Sequence, residues 1–560
     1  MAPLLRFEMK WFPHCHYGTA IMKRRQALLS LAAAPCLPVG AEKKSSPEYE
    51  NPYEGVDWET WECVHSMSHQ HQGTTTSSLE SFREMGYGHF AFSNYYPSAP
   101  TPLLPAFREK HPDVVWAPNA EQHSFLDTGL HFNSLGSRLA TGYGKYLSAA
   151  ERKTSPIKYR FENLIPFDDK RPWEGVYRLD LTLIAAEGKP EAILTVHGAT
   201  ACNREENFAD DGPIEKRTIP VGKKTSYVRA NDEAINIILE YNPNEISISQ
   251  LRLMQGTNRP WREMFRAALD GEERDGKTVG GLLHPDGGGI TLNHPTGKLE
   301  TYAEMLDFDS RVLGIEVWNQ LTSGFGSDRG FYASMKNPPG HFYQLWDQIL
   351  ATGRRCWGFF VKDHNTYGRG RNVLLTPPLA DLSPERREAA LLRAYRNGAF
   401  FGSVASIATS ESGETTAPYD HSNFRFRQIR LKRDEKGKAI AVEAAVGENN
   451  PDRTPNVQIR FITEEGITHV VDAEQGEWKL PPCSPPQFIR VEACAYPDTH
   501  QNGKPLNAGT IRELSPAQIA TLHDRQIERG PGFFGNSAEL RTPLPIVDQI
   551  FSQPIRRLNA

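Results

Sequence analysis

The sequence has no excess of positive charge and no long apolar run. Its 560 residues include 63 Lys and Arg against 68 Asp and Glu, which gives a formal net charge of −5. Proteins whose main partner is nucleic acid usually carry a basic excess or a basic stripe, so we expect no nucleic-acid partner. The apolar runs fall short of the roughly 20 residues that a membrane-spanning helix needs, so we expect no stable membrane span.

Cysteine is also scarce, and two of the seven cysteines lie in a stretch that has the pattern of a removable leader. Basic residues at 23–25 precede an apolar stretch at 27–34, and small residues follow near Ala41. This order is typical of a secretory signal, and the arginine pair resembles a twin-arginine signal. We predict a signal segment at 1–41, with Met22 as an alternative start, and export to the periplasm or exterior of a bacterial cell. An N-terminal amphipathic helix is the alternative. The five cysteines that remain do not suggest a disulfide framework.

The pattern of the chain changes several times after the leader. Strand and helix patterns alternate in two stretches, which is typical of an α/β unit. Between them, period-two alternation broken by Gly, Asp and Asn turns indicates an all-β sandwich. The predicted organisation is an α/β region in two parts at 58–150 and 256–402, an inserted β-sandwich at 151–255, a C-terminal β-sandwich at 420–500 and a loop-rich tail at 501–560.

Local signals place individual elements within these regions. The stretch 77–86 predicts a short helix that ends at Gly86, and 89–92 predicts a buried strand. Ser383 and Pro384 are suited to the N-cap and first position of a helix. That helix should end at Gly398.

Histidine is plentiful, with 18 residues, and the densest group is Cys63-Val64-His65-Ser66-Met67-Ser68-His69-Gln70-His71. Cys63 and His65 are two apart and would share one face of a strand, while His71 can return from the loop that follows. Imidazole and thiolate side chains bind zinc, iron or manganese to different degrees. The stretch therefore predicts a metal site; the alternative is a polar surface loop.

Further candidate ligands follow predicted strands elsewhere in the α/β region. α/β barrels place their sites at the carboxyl ends of strands. Any one of these histidines alone would more often be structural, but their recurrence after several strands favours one shared site. The candidates are Glu121 and His123 after 114–117, His131, His294 after 290–292, and Asp363 and His364 after 359–361.

The order of these motifs resembles the polymerase and histidinol phosphatase (PHP) superfamily. The matching stretches are Val64-His65-Ser66-Met67-Ser68, Asn119-Ala120-Glu121, Leu292-Asn293-His294-Pro295, Gly314-Ile315-Glu316-Val317, Asp363-His364 and 396–402. The resemblance implies an α/β fold, a distorted (β/α)7 PHP-type barrel with up to three metal ions at the carboxyl ends of its strands. An inserted β-sandwich would interrupt this barrel, and a C-terminal β-sandwich would follow it.

The resemblance also assigns roles to single positions. His65 matches the second histidine of the opening motif, Glu121 the bridging carboxylate, and His294 and His364 the later histidines. The remaining expected ligands are Cys63, His71, His123, His131 and Asp363.

Three departures from the family pattern reduce the expected number of ions. Cys63 replaces the first histidine, Lys362 stands where an aspartate is usual, and Ser93-Asn94-Tyr95 replaces Thr-Asp-His. One or two divalent ions (Zn, Mn or Fe) are therefore expected rather than three. Tyr95 could bind substrate or donate a proton.

These residues together predict a metal-dependent hydrolase, most simply a phosphoesterase that uses a metal-activated water. Arg369 and Arg371 follow the Asp-His motif and could bind a phosphate or carboxylate by two parallel hydrogen bonds; a solvated loop is the alternative. The substrate would be a small-molecule phosphoester or a glycan. Two other hypotheses stay open: a catalytically degraded barrel that acts as an exported carbohydrate-binding or interaction protein, and an enzyme of the same fold that acts on exported glycans.

Overall fold

The structure is a computed structural model, and contacts divide the chain into Met1–Ser46 and Pro47–Ala560. The first unit, with the predicted signal segment 1–41, lies outside the described residues. All described elements belong to the second unit. The structure describes residues 48–71, 75–94, 100–124, 130–139, 151–162, 164, 166–169, 175–185, 187–203, 209–254, 259–274, 277–295, 298–319, 342–363, 370–404, 424–447, 456–496, 500–501, 504–505 and 548–558.

The first part of this unit joins short strands with two short helices. The side chain of Thr75 accepts a hydrogen bond from the Ser78 amide and so caps the first helix,. That helix buries Leu79 and Phe82, which lie three apart on one face,. The elements are β1 (Tyr49–Glu50), β2 (Glu62–Met67), α1 (Thr76–Glu84), β3 (Tyr87–Phe90), α2 (Pro105–Lys110), β4 (Val115–Trp116), β5 (Glu121–Ser124) and β6 (Leu130–Leu135).

The middle of the chain forms two antiparallel sheets around one apolar core. Alternating apolar and polar residues give each strand one face that packs in this core. In β9, for example, Ala192, Leu194 and Val196 are buried while their neighbours are more exposed,. A 3-10 turn at Glu151–Lys153 precedes the strands. These are β7 (Ile157–Phe161), β8 (Val176–Ala185), β9 (Glu191–His197), β10 (Ala199–Asn203), β11 (Ala209–Pro213), β12 (Arg217–Pro220), β13 (Gly222–Ala230), β14 (Ile235–Glu240) and β15 (Ile246–Met254).

The next part contains the longest described helix, α6, which has a complete set of end signals. Ser383 caps it by accepting from the Arg386 amide, Pro384 occupies its first turn, and Gly398 ends it in the left-handed conformation,. The elements are α3 (Trp261–Asp270), β16 (Glu272–Arg274), β17 (Lys277–Val279), β18 (Gly289–Leu292), α4 (Leu299–Leu306), β19 (Val312–Asn319), α5 (Tyr343–Ala351), β20 (Trp357–Val361), β21 (Gly370–Thr376), α6 (Pro384–Asn397) and β22 (Phe400–Val404).

The described remainder of the chain is β-structure. The predicted tail at 501–560 contributes strands with buried side chains, such as Ile550 and Phe551. The strands are β23 (Arg425–Arg433), β24 (Ala439–Gly447), β25 (Asn456–Thr463), β26 (Gly466–Val471), β27 (Gln475–Lys479), β28 (Phe488–Tyr496), β29 (His500–Gln501), β30 (Lys504–Pro505), β31 (Asp548–Ser552) and β32 (Ile555–Arg557).

The expected fold class, an α/β structure built on a (β/α)7 PHP-type barrel, is wrong. Strands take up 48% of the described residues and helices only 16%, and the strands belong to several separate sheets. One sheet has 11 strands, with the path β1-β32-β28-β31-β22-β21-β2-β3-β4 and with β25 and β26 attached, and another runs β20-β19-β18-β6-β5.

The pairing directions explain this outcome. Strands β2, β3 and β4 are parallel, as are β18, β19 and β20. In contrast, β5 and β6 form an antiparallel pair, and β21 and β22 are antiparallel to their neighbours. Antiparallel neighbours need no crossover helix, so few helices alternate with these strands.

The 11-stranded sheet and the β20-β19-β18-β6-β5 sheet share one apolar cluster. Ala91 beside the first sheet, Leu135 and Phe359 of the second, and Leu392 of α6 belong to the same buried core. Direct contacts bring the ends of β2, β18, β19 and β20 near one another: Gln70 after β2 bridges to Asp363 after β20, and Glu316 of β19 accepts from the amide of His294, which follows β18. Among the described helices, none is long and apolar enough to cross a membrane.

Candidate metal centre

Five side chains that can ligate a metal meet just beyond these strand ends. They form two groups, His69 with His71 and Glu121, and Glu121 with His131 and His294. Within each group the ligand atoms lie within 4.8 Å of one another. Because Glu121 belongs to both, the two groups form one continuous site.

Backbone hydrogen bonds hold the segments of the site together. The His71 amide donates to the Asp363 carbonyl and the Asp363 amide donates to the His69 carbonyl. The Asn293 amide donates to the His131 carbonyl. In the β5–β6 pair, Glu121 lies opposite Asn133. Backbone pairing between these segments therefore fixes the positions of the Cα atoms that carry the side chains of the site.

The first group is compact enough for one ion. His71 Nε2 lies 3.0 Å from His69 Nε2 and 3.0 Å from Glu121 Oε2. Asp363 Oδ1 lies 3.3 Å from His69 Nε2 and 3.4 Å from His71 Nε2. Ligand bonds to zinc are about 2.0–2.2 Å, so ligand atoms that share an ion lie roughly 3.0–3.5 Å apart. Asp363 thus adds a fourth candidate ligand to this group.

The second group uses the other oxygen of the shared carboxylate. Glu121 Oε1 lies 3.1 Å from His131 Nδ1 and 3.4 Å from His294 Nε2. The His131 and His294 rings are 4.8 Å apart between centroids and meet edge to face. Glu121 therefore directs Oε2 at His71 and Oε1 at His131 and His294, while Oε1 also lies 3.6 Å from His69 Nε2. A carboxylate placed in this way can bridge two ions.

Glu316 orients the ligands of the site through hydrogen bonds on the side away from the candidate metal positions. Its Oε1 lies 2.5 Å from His69 Nδ1, and its Oε2 accepts from the His294 amide and from Asn319 Nδ2, both at 2.6 Å. Asn293 Nδ2 donates to Glu121 Oε1 at 2.9 Å. A carboxylate on the far nitrogen of a ligating imidazole fixes its tautomer and leaves the other nitrogen free to ligate.

Two residues of the site have a strained backbone. His294 has φ of 25° and Asp363 has φ of 54°. Positive φ is uncommon for residues other than glycine and costs about 1–3 kcal/mol, and such strain clusters at functional sites. The surrounding hydrogen bonds hold both residues in this conformation.

Burial and charge act in opposite directions on the imidazoles. Burial disfavours protonation of His69, but the carboxylates of Asp363, Glu316 and Glu121 outweigh it and raise the pKa of His69 well above its ordinary value. Burial lowers the pKa of His71 to about 4, so this imidazole is a neutral donor. The three carboxylates are at most 3% exposed. Buried carboxylates need a compensating cation, and this mixture of imidazole and carboxylate donors can hold a divalent metal ion.

The structure brings together several of the predicted ligands and places others elsewhere. Glu121, His71, His131, His294 and Asp363 meet at the centre. Cys63 and His65 lie earlier, within β2. Burial raises the pKa of the Cys63 thiol, which packs against the core of the C-terminal strands, and the His65 ring meets Tyr87 edge to face.

The sequence placed His69 in the histidine-rich stretch that predicts a metal site but did not single it out as a ligand, and it gave no role to Glu316, Asn293 or Asn319. The spacing of His69-Gln70-His71, two imidazoles two residues apart, was the available signal for His69. The β2 strand continues to Met67, so the ligands follow this strand instead of forming part of it. Glu316 and Asn293 lie in quoted motif stretches, but only the fold shows that their side chains point into the site.

Arg371 is not among the side chains that meet at the described centre. Arg371 lies within β21 and is 4% exposed, which leaves little of it accessible to a substrate. Tyr95, His364 and Arg369 lie outside the described residues, and so does the side chain of His123.

No protein-family model and no curated protein matches this chain. The buried histidines and carboxylates themselves define the class of site, a candidate centre for divalent metal ions.

Proposed function

We propose that the protein is a metal-dependent hydrolase, most simply a phosphoesterase that acts on small-molecule phosphoesters. The observation that supports this most strongly is the pair of ligand groups that share Glu121. Two adjacent ions can clamp the attacking and leaving oxygens of a displacement. The types of ligand and their order along the chain are in keeping with the resemblance to the PHP superfamily.

The first ion would bind His69, His71, Asp363 and one oxygen of Glu121. The second would bind His131, His294 and the other oxygen. Imidazole and carboxylate donors suit zinc, manganese or iron, and two groups support two ions rather than three. A bound divalent ion supplies Lewis acidity and lowers the pKa of water towards neutrality.

The protein itself supplies orientation and a dry environment. Glu316 fixes the imidazole of His69 and the backbone at His294, while Asn293 fixes Glu121. Burial of Glu121 and Asp363 keeps bulk water from competing for their oxygens. Tyr95, Arg369 and His364 stay predictions as substrate or metal contacts.

Hydrolysis assays on the full chain test the proposal. The protein is stripped with a chelator, then reloaded with Zn²⁺, Mn²⁺ or Fe²⁺ and assayed with p-nitrophenyl phosphate and bis(p-nitrophenyl) phosphate. We expect activity only after reloading. Loss of an outer partner of a metal ligand typically costs about 10–100-fold, so loss of a ligand itself in His294→Asn should lower kcat by at least about 100-fold. The matched control is His111→Asn, which lies in another part of the fold, pairs with Glu80, and should keep full activity. A reloaded protein that cleaves neither ester would overturn the phosphoesterase proposal.

A further inference from the structure

A groove of about 670 Å³ lies apart from the metal centre. One wall is the segment 51–59, the other is the stretch 427–433 of β23, and Gln475 of β27 also lines it. The volume falls within the roughly 300–1,000 Å³ of small-molecule sites. The segment 51–59 precedes β2, whereas His69 follows it, and six strand residues span about 20 Å. The groove is therefore distinct from the metal centre.

An aromatic side chain forms part of the first wall. Trp58 is half-buried and lines the groove, and it also packs against the apolar core beneath. Its ring lies 5.6 Å from that of Tyr53. Tyr53 is 2% exposed and donates through its hydroxyl to the Phe400 carbonyl. The Trp58 ring is thus held in place by Tyr53 and the core and lines the groove with its aromatic side chain.

Planar polar side chains of both charges surround this aromatic ring. Arginines 427, 430 and 433 line the groove from the β23 wall, acidic residues at 54, 57 and 59 line it from the first wall, and Gln428 and Gln475 also line it. The formal charges balance, so an ionic ligand gains no advantage. Carboxylate, amide and guanidinium groups each offer two hydrogen-bonding atoms in one plane, which matches a pair of adjacent hydroxyl groups.

These features favour a sugar over a peptide. The face of an aromatic ring is electron-rich and attracts the C–H groups on one face of a pyranose, while the hydroxyls at its edge need planar polar partners. The apolar side chains in this lining are committed to the core: Ile429 is 2% exposed and belongs to it, and Val56 and Leu431 pack against it. We propose that the groove binds a neutral oligosaccharide, with Trp58 stacking on one sugar ring and Arg430 and Gln428 binding its hydroxyls.

Calorimetric titration of the full chain with cellohexaose, xylohexaose, mannohexaose and maltohexaose tests this proposal. We expect at least one of them to bind, and Trp58→Ala to weaken that binding by about tenfold or more, equivalent to about 1.4 kcal/mol. Arg430, whose side chain is 62% exposed, gives a second variant, Arg430→Ala, that should fold normally and bind several-fold more weakly. Ile440→Ala is the matched control, because Ile440 is 42% exposed and is not among the residues that line the groove.

The same titrations on chelator-treated protein separate this site from the metal centre. Binding that persists without metal supports the groove. Binding that requires metal, or that both groove variants leave unchanged, would overturn the proposal, as would the absence of binding to all four sugars at millimolar concentration. None of these outcomes depends on whether the metal centre hydrolyses phosphoesters.

Discussion

Replacing Glu316 by Gln tests whether this residue orients the metal centre. The substitution keeps the size of the side chain and removes its charge. Three donors face the two carboxylate oxygens: the Nδ1 of His69, the amide of His294 and the Nδ2 of Asn319. Glutamine offers one oxygen and one NH2 group, so at least one of these donors would meet another donor.

The structure sets the expected magnitude of the effect. If the NH2 group faces His69 Nδ1, the imidazole must carry its proton on Nε2, the atom that lies against Glu121 and Asp363. His69 then loses its lone pair for the metal. If the NH2 group faces His294 instead, the backbone there loses its acceptor. Loss of such an outer partner typically weakens metal binding by about 10–100-fold, equivalent to about 1.4–2.7 kcal/mol.

Competition with a chromophoric chelator at pH 7.5 measures this change in metal affinity. Glu388→Gln serves as the matched control, because Glu388 is also largely buried and lies in α6. Thermal unfolding of the metal-free proteins checks that Glu316→Gln folds. A folded variant with metal affinity within twofold of the wild type would refute the orienting role of Glu316.

Two further predictions concern stability. Burial lowers the pKa of His89 from 6.5 to about 3, so below pH 6.5 the unfolded state binds a proton at this residue and the folded state does not. The free energy of unfolding is therefore highest above pH 6.5 and falls with the pH, by about 2 kcal/mol between pH 7.5 and 5. Urea unfolding of the metal-free proteins should show that the free energy of unfolding falls more steeply with decreasing pH in the wild type than in His89→Asn. Equal pH dependence of the two proteins would contradict this prediction. A Cβ at Gly314 would lie 1.9 Å from the carbonyl oxygen of Trp357, so Gly314→Ala should separate β19 from β20 and destabilise the fold by about 3 kcal/mol. Differential scanning calorimetry measures this, with Gly447→Ala as the control. Gly447 also lies in a strand, and an added Cβ there meets only the flexible side chain of Arg427, at 3.2 Å from Nε. Gly314→Ala and Gly447→Ala proteins with equal unfolding temperatures would contradict the steric argument.

Local signals in the sequence predicted single elements well. The helix from Ser383 to Gly398 was predictable because its cap, first proline and terminal glycine all act within a few residues. The alternation in β9 likewise reports burial directly. Sheet membership depends on distant pairing, such as β28 with β31. No local pattern indicates this pairing, and the expected barrel was wrong for that reason.

In the candidate site, too, local signals could be predicted from the sequence and features that depend on distant pairing could not. Glu121, His131 and His294 each follow or lie in a recognisable strand, and the structure brings them together. His65 and His69 differ by four residues in one motif, and only the end of β2 at Met67 distinguishes them. Burial of Arg371 likewise depends on the sheets around β21 and could not be deduced from its neighbours in sequence.

Metal analysis of matched variants tests the central claim most directly. The wild-type protein, His69→Asn, His65→Asn and Glu121→Gln would be loaded with Zn²⁺ or Mn²⁺, desalted and measured by inductively coupled plasma mass spectrometry. We predict two ions per chain for the wild type and for His65→Asn, one for His69→Asn, and a loss at both groups for Glu121→Gln. A wild-type protein that retains no metal, or loss of metal in His65→Asn with full retention in His69→Asn, would contradict the account.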